Sequence, residues 1–154
     1  MSYDFNADDV LEIAEQLERN GGKFYRSAAD STSDPANKEF LLELAVMEDQ
    51  HEETFKTMRA ELSAKEKEST VFDPDGEAAM YLRALADTRV FFEKEIDVTS
   101  MRAILKSAIT AEKDSIVFYL GIKEAVDESL GQGRIDHIIK EEMGHIKLLS
   151  AKLV

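Results

Sequence analysis

Cysteine is absent from this 154-residue chain. That excludes disulfides, thiolate metal sites and Cys-ligated iron–sulfur centres, so any bound metal must be held by oxygen and imidazole nitrogen. Proline occurs only twice and glycine seven times, too rarely to interrupt long helices. No apolar run approaches the ~18 residues of a membrane span. The N-terminal MSYDFNADDV is acidic and lacks the apolar core of a signal peptide. The expectation is a soluble cytoplasmic protein with no membrane partner. Positive charge is scarce: 19 Lys and Arg face 32 Asp and Glu, a formal net charge of −13. Such a surface repels nucleic acid and anionic lipid. Length, with 44% apolar and 33% charged residues, fits a single domain over residues 1–154 with a core large enough to fold alone.

Four long helical patterns are present. In the first, Leu11, Ala14, Gly21, Tyr25 and Ala28 recur on one face, with Asn6 placed to cap its start. It ends near Ser31-Thr32-Ser33, and Asp34-Pro35 reads as N-cap and first residue of the second helix. That helix carries Leu41, Leu44, Phe55, Met58 and Leu62 on one face. The third has Met101, Leu105, Ala108, Tyr119, Ile122 and Val126, with Thr99 as its cap. The fourth has Ile135, Ile138, Leu149 and Lys152 on its seam, with Leu148 beside it, and follows the loop Gly131-Gln132-Gly133. Some thirty-five residues separate the second and third patterns. They contain the turn signal Asp73-Pro74-Asp75-Gly76, and Met80, Tyr81, Ala84, Leu85 and Thr88 suggest a short helix. A connection of that length, with structure of its own, reads as the one long crossover of a ferritin-like four-helix bundle.

Each apolar face is interrupted by a carboxylate: Glu18, Glu48, Glu112 and Glu142 on the four helices in turn. On the second and fourth helices an imidazole follows one turn later, His51 and His145. Residues at i and i+3 share a helix face with Cβ atoms ~5–6 Å apart, so a Glu-x-x-His pair can bind one ion together. Glu18 and Glu48 lie equally far from Ser33, inside the expected turn, so an antiparallel hairpin sets them at one height. A shift of 94 positions superposes Glu18 on Glu112, Phe24-Tyr25 on Phe118-Tyr119, Glu48 on Glu142 and His51 on His145. Two similar hairpins related by a pseudo-two-fold axis follow.

Four carboxylates at one buried level repel one another, and some must take up protons unless cations balance them. Two divalent ions match four carboxylates in formal charge. A single Glu on an apolar stripe is more often a residue that snorkels or pairs with Lys or Arg. Six such residues with matched spacing are better explained as ligands of two metal ions ~3.5–4 Å apart. Tyr25 and Tyr119 lie two turns from Glu18 and Glu112 on the same faces. Core packing and a hydrogen bond to a ligating carboxylate are both open to them. His137, off the ligand seam, reads as a surface histidine, and Glu52, Glu53 and Glu141 read as solvated.

These motifs resemble the rubrerythrin branch of the ferritin-like superfamily. The residues that carry the resemblance are Glu18 with Phe24-Tyr25, Glu48-Asp-Gln-His51, Glu112 with Phe118-Tyr119, and Glu142-Met-Gly-His145. The resemblance implies that Glu48 and Glu142 bridge the metals, that Glu18 and Glu112 are terminal ligands, and that His51 and His145 each take one ion. It implies an iron pair, with manganese or zinc as alternatives of similar ligand taste. It implies an oxidoreductase reducing hydrogen peroxide or dioxygen with an external electron-donor protein, and a homodimer. Iron oxidation, storage or delivery and a metal-stabilised module without turnover are the alternatives. Two departures are visible. Peroxide-reducing rubrerythrins usually carry a Cys-rich electron-supplying domain, whereas these 154 residues hold no cysteine, and they carry a further Glu three residues after the third-helix ligand, where this sequence has Ser115.

Overall fold

The computed structural model describes residues 7–62, 98–125 and 132–154. Among them are four helices and no strand: α1 (Ala7–Ser31), α2 (Pro35–Ala60), α3 (Met101–Ala125) and α4 (Gln132–Leu153). Together they form a four-helix bundle built from two hairpins, α1 against α2 and α3 against α4.

Local chemistry sets the ends. Asp34 adopts an extended conformation, and its Oδ1 accepts from the backbone N–H of Ala36 at 2.8 Å and of Asn37 at 3.3 Å. Pro35 opens α2, where its missing N–H costs nothing. The cap of α3 is Ser100 rather than Thr99: its Oγ accepts from the N–H of Ala103 at 3.1 Å. The two are adjacent and both hydroxylic, and only the backbone decides which one faces the first turn. Gln132 and Gly133 belong to the first turn of α4 rather than to a loop. Leu62 is buried but lies beyond the end of α2. Lys152 is exposed, its ammonium 5.2 Å from the centre of the Phe40 ring. Asn6, Val126, Gly131 and the crossover signals from Asp73 to Thr88 lie outside the described residues.

The core has three layers along the bundle axis. One apolar cluster includes Leu11, Phe55, Phe118, Tyr119, Ile122 and Ile138. A second includes Tyr25, Ala28, Leu41, Leu44, Leu105 and Leu149. Between them in sequence on every helix stands the level of Glu18, Glu48, Glu112 and Glu142. The apolar layers hold the helices together, which is where most helix stability originates. The polar level between them is therefore fixed by packing on both sides.

Candidate metal centre

The six side chains expected to face the bundle axis do so, and none is more than 2% exposed. They divide into two overlapping groups, each able to hold one ion. Glu18, Glu48, His51 and Glu142 form one; Glu48, Glu112, Glu142 and His145 form the other, with ligand atoms in each group within 4.8 Å of one another. Glu48 and Glu142 belong to both.

The two histidines turn Nδ1 inward. His51 Nδ1 lies 2.8 Å from Glu142 Oε1 and 3.4 Å from Glu18 Oε2. His145 Nδ1 lies 3.2 Å from Glu142 Oε2, 3.3 Å from Glu48 Oε1 and 3.4 Å from Glu112 Oε1. Glu142 thus presents one oxygen to each imidazole, the disposition a bridging carboxylate needs. The rings are stacked, centroids 5.6 Å apart and 17° from parallel. Close as these contacts are, seven buried atoms lack a properly directed hydrogen bond. They are Glu18 Oε2, Glu48 Oε1, Glu112 Oε2, both oxygens of Glu142, and Nδ1 of each histidine. Lone pairs and carboxylate charge are aimed at common points. Buried polar groups are rarely left so, because each costs about 1–3 kcal/mol. Cations at those points satisfy all seven, and four carboxylate and two imidazole donors suit a divalent transition metal pair. The residues fit two metal ions.

The carboxylates of Glu18 and Glu112 are held by the tyrosines, in a crossed arrangement. Tyr25 Oη on α1 donates to Glu112 Oε1 on α3, and Tyr119 Oη on α3 donates to Glu18 Oε1 on α1. Each tyrosine serves the opposite hairpin. The remaining oxygen of each carboxylate, Oε2, is buried without a properly directed hydrogen bond.

Protonation in the metal-free protein follows from this crowding. Burial, then the charges of its carboxylate neighbours, pushes the carboxyl of Glu48 well above its usual range, and the same two causes act on Glu142. Glu112 moves the other way. Burial would raise it, but the Glu142 carboxyl, the His145 imidazole and the Tyr25 hydroxyl hold it below the usual carboxylate value. The upward shift expected from carboxylate crowding therefore does not extend to Glu112, whose donors favour its ionised form. For His51, burial opposes charge, yet the carboxylates of Glu142 and Glu18 push it up to about 11; for His145 the balance between burial and Glu112 with Glu142 gives about 9. Burial and the adjacent carboxylates raise both tyrosines, which stay neutral donors.

Gly21 makes room for this level. A Cβ added there would stand 3.0 Å from Glu48 Oε2 and 3.2 Å from its Cδ. Glycine in mid-helix is disfavoured against alanine by about 0.5–1 kcal/mol, so only the carboxylate beside it explains its presence. Gly21→Ala is expected to keep or raise the melting temperature of metal-free protein while weakening metal binding several-fold by calorimetry. An unchanged affinity would show that Glu48 does not need the space.

Several neighbours were not legible as partners. Glu141, expected to be solvated, contacts His51 Nε2 through Oε2 and His137 Nε2 through Oε1, the latter at 2.9 Å. Its side chain is 42% exposed and His137 is 72% exposed, so His137 is a surface residue as expected. Glu52, by contrast, is mostly covered, paired with Arg19 at 2.7 Å, whereas Glu53 is exposed and pairs with Lys56. Glu15 is a buried carboxylate outside the metal level: it faces Arg59, which also binds Asp8 at 2.7 Å. The guanidinium answers its charge, and no cation is needed there.

Comparison with known proteins agrees with this architecture. No curated protein matches the chain. A crystal structure of a Thermotoga maritima protein assigned to the ferritin-like diiron-carboxylate proteins is similar to it, with 27% identity and a TM-score of 0.71 over 99% of this chain and 97% of that one. The family model for rubrerythrin matches residues 9–153. That match opens in the first turn of α1 and closes with the last helical residue of α4, taking in every side chain of the buried polar level, and it places the chain in the rubrerythrin family.

Proposed function

We propose that the chain is a di-iron carboxylate oxidoreductase that reduces hydrogen peroxide or dioxygen with electrons from another protein. The observation that carries this reading is the set of seven buried atoms on six residues that lack a properly directed hydrogen bond, in two groups that share Glu48 and Glu142. Glu18 and His51 would complete one ion's ligands, Glu112 and His145 the other's. An iron pair, when bound, supplies two electrons to the oxidant.

The chain's own residues do the rest. Tyr25 and Tyr119 fix the terminal carboxylates in one orientation, and the apolar layers above and below exclude water. Without cysteine, the chain must be re-reduced from outside, and the family resemblance supports a homodimer as the working form. Sedimentation of a monomer at micromolar concentration would remove that last element.

One observation favours a second reading, iron oxidation or delivery with Fe(II) as substrate. A groove of about 580 Å³ lined by Met47, Gln50, Glu141, Gly144, His145 and Leu148 opens beside one histidine. The readings separate in a stopped-flow experiment on anaerobic, Fe(II)-loaded protein. Rapid oxidation of two Fe(II) per hydrogen peroxide, followed by repeated turnover with a reductant, supports the reductase. Oxidation by dioxygen with ferric ion released supports iron handling. If neither oxidant acts, the redox reading fails and a metal-stabilised module is left.

A further inference from the structure

The pseudo-symmetry that relates the two hairpins is kept by all six inward-facing residues and both tyrosines. It is broken at the residue behind each histidine. His51 Nε2 is met by Glu141 from α4, and His145 Nε2 by Met47 from α2, at 3.2 Å from the sulfur. Positions 47 and 141 are themselves 94 apart, so they are equivalent by the repeat. One is a carboxylate and the other a thioether. The difference extends outward: His137 braces the second oxygen of Glu141 at 2.9 Å, while the position equivalent to His137 is Glu43, an exposed carboxylate.

A histidine that ligates through Nδ1 carries its proton on Nε2 and must donate it. A carboxylate accepts that proton in a charge-assisted hydrogen bond, which fixes the ring plane and raises the electron density on the ligating nitrogen. A thioether sulfur is a weak acceptor and does little of either. The inner faces of the two groups are alike, so the outer partners decide. The groove between α2 and α4 is lined by His145 and Met47, with Glu141 also on its wall.

Resting on the metal centre argued above, we propose that its two positions are unequal. The ion held by Glu18, Glu48, His51 and Glu142 binds first and tightly, with Glu141 as the positioning residue. The ion held by Glu48, Glu112, Glu142 and His145 binds second and exchanges through the groove past Met47. The protein therefore holds one resident ion and one labile ion.

The test is anaerobic calorimetric titration of the full chain with Fe(II) at pH 7, with a ferrous chelator used to follow release. Two binding steps are expected, and removal of Glu141 should weaken the first by ~10–100-fold, the usual effect of losing such a partner. E141Q should therefore bring the two steps together, and release from the wild type should be biphasic where the variant's is nearly single. Met47→Glu, on a partly exposed surface, should strengthen the second step and leave the first within about twofold. Two equal steps in the wild type, or an E141Q variant that weakens both steps alike, would overturn the inequality while leaving the metal pair intact. No Fe(II) binding in the wild type would overturn the metal centre and this proposal together. Circular dichroism of each variant confirms that the bundle has formed.

Discussion

Replacing Glu48 and Glu142 together by glutamine is expected to abolish the thermal stabilisation given by Fe(II) and to leave the metal-free protein equally or more stable. These two carboxylates belong to both groups of ligand atoms, so their loss affects both ions at once. Two sites, each with ligand at a hundredfold excess over its dissociation constant, stabilise a fold by roughly 5 kcal/mol in all. For a chain of this size that is on the order of 10–20 °C in melting temperature. Without metal the sign reverses. Glu48 and Glu142 are the carboxyls that burial and neighbouring charge push up, so without metal their protonated form is favoured. Glutamine mimics that neutral form, and its amide can donate to the Glu18 and Glu112 oxygens that lack partners. Differential scanning calorimetry under nitrogen, with and without Fe(II), measures both halves. A double variant that keeps the full metal response would exclude this pair as bridging ligands.

Metal-free protein should lose stability between pH 5 and pH 9, and metal should reverse that trend. Four groups have folded values raised above their unfolded ones: Glu48, Glu142, His51 at about 11 and His145 at about 9. Stability from a raised group is complete below the unfolded value, near 4.5 for the carboxyls and 6.5 for the histidines. It is lost as pH climbs through the folded value. Glu112, whose folded value is lowered, acts oppositely, but its contribution disappears only as pH falls below the ordinary carboxylate range. Across pH 5–9 the raised groups therefore dominate. Each excess proton held by the folded state gives a slope of about 1.4 kcal/mol per pH unit. Fe(II) favours ionised carboxylates and neutral histidines and expels those protons. The metal-induced rise in melting temperature should then be larger at pH 7 than at pH 5. A metal-free protein that grows more stable from pH 5 to pH 9 would mean that the cluster is not proton-loaded.

The bundle and the six inward-facing side chains were legible in the sequence for a simple reason. A carboxylate on an otherwise apolar helical stripe is conspicuous, and the stripe alone determines that it faces the axis. Asp34-Pro35 marked the turn because capping is a local event. Contacts between hairpins were less visible. Tyr25 shares a face with Glu18, but two helical turns separate them by roughly 10 Å, and its hydroxyl reaches Glu112 on α3 instead. Glu141 reads as solvated in the sequence because it precedes Glu142 by one residue, about 100° away around α4. Its partner His51 comes from α2, brought there by packing. Arg59 closing over Glu15 shows the converse: burial of a carboxylate points to a metal ligand only when no Lys or Arg answers it.

Whether six residues on four helices hold two metal ions is decided by anomalous X-ray diffraction from crystals grown with Fe(II), collected at the iron edge. The expected result is two peaks ~3.5–4 Å apart, with Glu48 and Glu142 touching both, Glu18 and His51 on one, and Glu112 and His145 on the other. A single peak, peaks only at surface carboxylates, or Glu18 and Glu112 turned away from the metal would contradict it.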